Sequence, residues 1–398
     1  MTANAPDPIV IASAARTPMG GFLGELSPLT APQLGSAAIA AALERAQVKG
    51  EEVGEVIMGC VLPAGIGQAP ARQASFGAGI PQAVGCTTIN KMCGSGMKAA
   101  MFGHDLIAAG SADIVVAGGL ESMSNVPYLL DKARGGYRLG NGKIYDHMFI
   151  DGLEDAYEKG KLMGAFAEDT AEHYQFTREA QDEFAITSLR RAQTATDDGS
   201  FASEITPVTV KTRKGEAVVA TDEQPRNANI DKIPTLKPAF REGGTVTPAN
   251  SSSISDGAAA LVMMRMSAAE KRGVTPLAIV RGHATHAQAA AWFTTAPIDA
   301  IRKVLKRVDW DKDSVSLWEV NEAFAVVTMA AMRDLDIPHD KMNVHGGACA
   351  LGHPVGASGA RIMATLMAAM RKYDIERGVA SLCIGGGEAT AVALERVH

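Results

Sequence analysis

Residues 86–97, Cys86-Thr87-Thr88-Ile89-Asn90-Lys91-Met92-Cys93-Gly94-Ser95-Gly96-Met97, pass from an apolar, β-prone run into a small-residue, helix-prone one that continues to Ala109. Cys93 therefore sits where a strand turns into a helix, with glycines on its C-terminal side. Backbone N–H groups at a helix start are unpaired, the helix dipole favours negative charge, and glycine allows a ligand close to the backbone. A thiol there is expected to lose its proton more easily than a free cysteine and to have N–H donors beside it for an oxyanion. The competing explanation is a buried structural cysteine, a common fate of free Cys.

Working outward, strands and helices alternate on both sides. Strands are predicted at 8–14, 53–58, 86–90 and 112–117, with helices at 31–47, 69–78 and 97–109. The alternation is lost from about Ser122 to Asn250, where one helix, 178–196, stands out behind the N-cap Thr177. It returns with a strand at 279–280, a helix at 298–307, a strand at 315–320, a helix at 322–334, an extended piece at 343–345, a helix at 358–373, and strands at 378–383 and 389–394. Such alternation indicates a mainly parallel sheet covered by helices. Ser95-Gly96 opens a helix, a strand follows, and Gly118-Gly119-Leu120-Glu121 closes it; Ser358-Gly359 and Gly386-Gly387-Glu388 repeat that order. The chain thus reads as two similar α/β halves with an excursion placed on the first.

The 398 residues suggest two or more core-bearing units. Net charge is −6, which gives no support for a nucleic-acid surface. Five cysteines, an odd number without a CxxC pair, argue against a disulfide framework or a cysteine zinc site and for a reducing compartment. No targeting segment shows at the N-terminus, and no apolar run approaches the ~20 residues that cross a bilayer, so the cytoplasm is expected. Neither a phosphate loop nor a dinucleotide fingerprint is present.

Three further candidates lie in the second half. His353, between Gly352 and Pro354, has no helical or strand role, and an imidazole can take a thiol proton and return it. Cys383 precedes Ile384-Gly385-Gly386-Gly387 at a strand end. Asn321, in Asn321-Glu322-Ala323-Phe324, is either a helix N-cap or a holder of a water or acyl oxygen. Cys86 and Cys349 are assigned to structure, and His283, His286 and His339 to ordinary strand or surface positions.

Met92-Cys93-Gly94-Ser95-Gly96, Asn321-Glu322-Ala323-Phe324, Gly352-His353-Pro354 and Cys383-Ile384-Gly385-Gly386-Gly387 together resemble the four active-site blocks of the thiolases, in family order and spacing. The resemblance runs from Ala15-Arg16-Thr17-Pro18 to the last strand. It implies an α/β, five-layered α-β-α-β-α fold built from two βαβαβαββ halves, with a loop domain that binds coenzyme A. The implied division is 1–121 for the first half, 122–250 for the loop domain, 251–275 for a return to the first half, and 276–398 for the second half.

The resemblance also implies reversible Claisen condensation of two acetyl-CoA to acetoacetyl-CoA and CoA through an acetyl-cysteine. Cys93 would be the nucleophile, His353 its activator and Cys383 the base for the second substrate. The N–H groups of Cys93 and Gly385 would form one oxyanion hole; His353, with a water on Asn321, would form the other. Ser252, Met163 and Phe324 match family contacts to pantetheine and acyl group, and Arg226 matches an adenine-side arginine. No metal and no cofactor beyond the CoA thioester substrates is implied. The segment 123–146 resembles a region that joins dimers, so a homotetramer is expected. Two stretches depart from many biosynthetic members, Leu162-Met163-Gly164 and Phe293-Thr294-Thr295-Ala296-Pro297. They leave open a 3-ketoacyl-CoA thiolase for longer chains. A carrier-protein synthase, a papain-like hydrolase and an inactive CoA-binding scaffold each lack one of these features or are argued against by the intact Cys93, His353 and Cys383.

Overall fold

The computed structural model describes residues 7–213 and 215–397. Nine strands and eight helices carry its frame. The first half contains β1 (Ile9–Arg16), α1 (Ala31–Arg45), β2 (Glu55–Gly59), α2 (Pro70–Gly77), β3 (Gly85–Ile89), α3 (Ser95–Ala108) and β4 (Ile114–Ser122). A long excursion follows, with α4 (Met163–Tyr174), α5 (Arg178–Asp197) and a hairpin of Val208–Thr212 on Gly215–Val219. The chain then returns through β5 (Ser255–Arg265). The second half contains β6 (Ala278–Ala287), α6 (Ala296–Val308), β7 (Leu317–Val320), α7 (Ala325–Leu335), α8 (Ser358–Lys372), β8 (Arg377–Ile384) and β9 (Glu388–Arg396).

The duplication is explicit in the pairing. In the first half the order is β3-β2-β4-β5-β1, with β2 parallel to β3 and β4, then antiparallel pairs. In the second half it is β7-β8-β9-β6, with one parallel pair and then antiparallel ones, so the sheet is mixed and mostly antiparallel rather than mainly parallel as the alternation suggests. The counterpart of β3 has shrunk to a single parallel bridge, Trp318 to Met342. The extended piece expected at 343–345 is therefore turn, not strand. Matching register shifts lie at the same depth in β1 (Ile11/Ser13) and β6 (Val280/Gly282). The two sheets meet edge to edge where Val10 and Ile11 pair with Ile279 and Ala278.

Alternation along the strands makes the layers. In β5, Ala258, Ala260, Val262 and Met264 face α1 and α2, while Leu261 and Met263 face α3 and α8. In β9, Ala389, Ala391 and Ala393 face α6 and α7, while Val392 and Leu394 face the central helices. The result is helices, sheet, central helices, sheet, helices. The central pair crosses backbone to backbone: a Cβ on Gly96 would stand 2.8 Å from the Ala360 nitrogen, and one on Gly359 2.3 Å from that of Met97. This contact explains the Ser-Gly that opens both helices.

The double-glycine likeness does not hold in the same way. Gly118 and Gly119 lie inside β4, where a Cβ on Gly119 would meet the Gly356 carbonyl oxygen at 1.9 Å. Gly385, Gly386 and Gly387 instead form the turn between β8 and β9, with φ of 93° and 89° at the last two. The Thr177 cap is as expected, accepting from the Ala180 N–H at 3.2 Å.

Candidate active site

Cys93 is presented by a turn whose main chain is held by its own residues, with the Lys91 side chain paired to Glu388 of the second half. After β3 the chain passes through Met92 at φ 47°, left-handed for a non-glycine residue. The Ser95 hydroxyl holds that turn, accepting from the Lys91 N–H at 2.8 Å and donating to the Met92 carbonyl at 2.6 Å. α3 then begins, and Cys93 is left half-buried on the wall of a cavity of about 340 Å³.

The expectation of an acidic thiol is corrected by the structure. Burial pushes the Cys93 thiol up to about 11. The N–H groups of Gly385 and of Cys93 itself face the sulfur and pull the other way, but desolvation outweighs them, and the Glu121 charge adds to it. Cys383, buried near the end of β8, is also raised well above an ordinary thiol, first by burial and then by its neighbour Cys93. Both sulfurs therefore rest as thiols.

His353 lies on the same wall, in the loop that leads to α8. Its backbone N–H donates to the Ser253 carbonyl at 3.2 Å and the Ser255 hydroxyl at 3.3 Å. The Ser358 hydroxyl donates to the Pro354 carbonyl at 2.9 Å and so accepts from His353 Nδ1 at 2.6 Å. That chain places the imidazole proton on Nδ1 and leaves Nε2 unprotonated, an acceptor. Burial, then the Arg361 charge, lowers His353 to about 3, so the ring rests neutral.

Asn321 is not a helix cap. It follows β7 with its N–H donating to the Ser381 carbonyl at 3.0 Å, and α7 starts only at Ala325 with Phe324 as cap residue. Glu322 fixes this corner, accepting from Ser188, Asn343 and the Cys349 N–H. Arg361 donates to Asn321 Oδ1 at 3.4 Å, which turns Nδ2 toward His353 Nε2, 3.5 Å away. The two nitrogens are neighbours that can share one oxygen.

Cys93, His353, Gly385, Met163, Ser252 and Phe324 all line the cavity. Met163 packs over Gly385, where a Cβ would reach its sulfur at 3.4 Å. Asn321 and Cys383 stand behind that wall. Arg226 is elsewhere: it is exposed, on the short helix Glu223–Asn227, and its guanidinium pairs with Glu25 at 2.7 Å.

Sequence inspection did not single out Ser358, Arg361 or Glu121 as supports of the site. Buried Glu121 accepts from the N–H groups of Val61, Leu62 and Gly356, at 2.9, 3.1 and 2.9 Å, and so fastens the His353 loop to the first half. A buried acid in an otherwise apolar strand, Ala117-Gly118-Gly119-Leu120-Glu121, was the available signal.

The chain matches the family model for the thiolase N-terminal domain over residues 9–267 and that for the thiolase C-terminal domain over 274–396. It is 49% identical over 390 residues to an acetyl-CoA acetyltransferase of Cupriavidus necator, covering 98% of this chain and 99% of that protein. It is 48% identical over 391 residues to the Escherichia coli acetyl-CoA acetyltransferase, covering 98% and 99%, and 48% to the rat mitochondrial enzyme, covering 98% and 91%. The crystal structure of the Bacillus anthracis acetyl-CoA acetyltransferase superposes with a TM-score of 0.96 at 40% identity, covering 99% of this chain and 100% of that one.

Proposed function

Because the chain belongs to the thiolase family, we propose that it is an acetyl-CoA acetyltransferase, an acyltransferase that joins two acetyl-CoA into acetoacetyl-CoA and CoA and runs the reverse thiolysis. The observation that supports the mechanism is one cavity wall carrying the neutral Cys93 thiol and an imidazole protonated on Nδ1, with the Cys383 thiol next to Cys93.

The proton count follows from that resting state. Cys93 gives its proton to His353 Nε2 as its sulfur attacks the thioester carbonyl, and the oxygen that gains charge is met by the Cys93 and Gly385 N–H groups. Cys383, a thiol at rest, supplies the proton that leaves with CoA. As a thiolate it then takes the α-proton of the second acetyl-CoA. The enolate oxygen is met by His353 with a water on Asn321, and its carbon attacks acetyl-Cys93. The Cys93–acetyl bond breaks, and the proton held on His353 returns to Cys93. Cys383 ends as it began, and the net change is one C–C bond formed and one thioester broken. Thiol, imidazole and amide groups supply every step, so the scheme calls on no cofactor.

Ser252, Met163 and Phe324 are assigned to the pantetheine and acyl group, and Arg226 to the adenine end, its pair with Glu25 opening as CoA arrives. The segment 123–146 exposes Tyr128, Leu130, Leu139 and Ile144, which supports its use as the surface joining two dimers into a homotetramer. No helix among the described residues is long and apolar enough to cross a membrane, and the cytoplasm is the proposed location.

A second assignment, a 3-ketoacyl-CoA thiolase for longer chains, draws on the apolar lining at Leu162, Phe149 and Phe293. Thiolysis of acetoacetyl-CoA beside a longer 3-ketoacyl-CoA separates them. Preference for the four-carbon substrate, lost in Cys93→Ala, is the expected result. Preference for the longer chain moves the protein to fatty-acid breakdown with the same chemistry. No thiolysis of either by folded protein removes the enzyme assignment.

A further inference from the structure

We propose that His104, Asp105 and His283 form a binding site for one divalent transition-metal ion of the zinc type, bridging the two halves of the molecule. His104 and Asp105 lie on α3, in the first half; His283 lies on β6, in the second. Asp105 Oδ1 stands 3.1 Å from His104 Nδ1 and 2.9 Å from His283 Nε2, and one donor atom from each residue falls within 4.8 Å of the others. A tetrahedral zinc ion with bonds of about 2.0–2.1 Å sets its donors roughly 3.4 Å apart, so a small swing of the His104 ring closes the set.

The donors select the class of ion. Two imidazoles and one carboxylate suit zinc, nickel, cobalt or copper rather than magnesium or calcium, which require oxygen. The histidines are half-buried and Asp105 is exposed, so a water completes the fourth position. The two rings meet edge to face, with centroids 5.2 Å apart and an interplanar angle of 83°, which lets both point a nitrogen at one place. None of the three lines the cavity that holds Cys93. The site is a clip between halves, separate from the chemistry of thioester exchange. Among the described residues His283 Nδ1 has no hydrogen-bond partner, and Lys98 lies close enough to act on the ring. With no acceptor behind that imidazole and a cation beside it, the expected affinity is micromolar, short of a closed structural site.

The test is calorimetric titration of the chelator-stripped, full-length protein with Zn²⁺, after carboxamidomethylation of its accessible thiols. It is paired with Co²⁺ titration followed by absorption. One equivalent of each ion is expected to bind, with cobalt d–d bands and no thiolate-to-cobalt charge transfer. His283→Ala should weaken binding by about tenfold or more. Zinc should raise the unfolding temperature of the parent protein and not of the variant. If His283→Ala does not fold, His104→Ala on the helix surface reads the same loss, with thiolysis unchanged. Absence of saturable binding, affinity retained in both variants, or a charge-transfer band that assigns the metal to cysteine would each overturn the proposal.

Discussion

The two crossovers that deliver Cys93 and His353 come from duplicated halves, yet they are built on opposite plans. Residues 90–94 form a short turn whose main chain is shaped locally, through the Ser95 hydroxyl and one left-handed residue, with one remote tie from Lys91 to Glu388. Residues 343–357 form a longer loop that is held from outside. Gly347 is tied to Ser188, Cys349 to Glu322, His353 to the 253–255 strand entry, and Gly356 to Glu121. The nucleophile is thus a local device, and the base is positioned by side chains remote in sequence. The contrast predicts that the two will fail differently.

The largest effect is expected at the sulfurs. Cys93→Ala should lower turnover in both directions by roughly four orders of magnitude or more. Cys383→Ala should lose condensation as severely; acetylated Cys93, seen as an acetyl mass increment after exposure to acetyl-CoA, should form more slowly, because the proton for the departing CoA must then come from solvent, yet still accumulate. If that variant never acetylates, the two thiols do not divide the work as derived.

Next comes protonation. With Cys93 raised to about 11 and His353 lowered to about 3, the resting pair is uncharged at neutral pH. Alkylation of Cys93 by iodoacetamide should climb about tenfold per pH unit from 7 toward 10. A plateau already reached at pH 7 would mean a preformed thiolate–imidazolium pair, and would contradict the balance in which burial outweighs the turn's N–H donors.

The remote fastening of the second loop is probed at Glu121. Glu121→Gln should slow turnover roughly 10- to 100-fold through a displaced His353, with Cys93 alkylation little changed. Burial also raises this carboxyl to about 7, above its ordinary 4.5. Its contribution to stability is therefore full below pH 4.5 and declines as pH rises through 7. The glutamine variant cannot ionise and should lack that decline in urea midpoints measured from pH 5 to 8; parallel curves would refute the assignment. Smallest is Ser358→Ala, which removes the acceptor for His353 Nδ1 and should cost about tenfold in kcat with a shifted pH profile and little change in KM.

The same contrast explains what was legible in the sequence. The Cys93 turn announces itself because the bonds that shape its main chain come from neighbours. The alternation of strands and helices and the Ser-Gly of both central helices were likewise local signals. β5 was not visible: Ala258-Ala259-Ala260-Leu261-Val262-Met263-Met264 carries good helix formers, and only burial on both faces between β1 and β4 makes it a strand. α4 was missed inside the excursion. Asn321 reads as a possible cap because a helix does begin nearby, three residues further on than the pattern suggests. The thiol shift went the wrong way because a helix start is local and desolvation is not. Ser358 and Glu121 owe their roles to partners that spacing does not reveal.

The crossing at Gly96 and Gly359 has one more consequence. Each helix begins within a few residues of Cys93 or His353, and at the crossing main chain packs against main chain. The gauge between nucleophile and base is therefore set by the thickness of two backbones, a dimension that no substitution in the surrounding core can tune. Residues such as Leu162 and Phe293 can drift and reshape the acyl compartment while that gauge stays fixed. A lineage of such enzymes is free to explore substrates without recalibrating its chemistry.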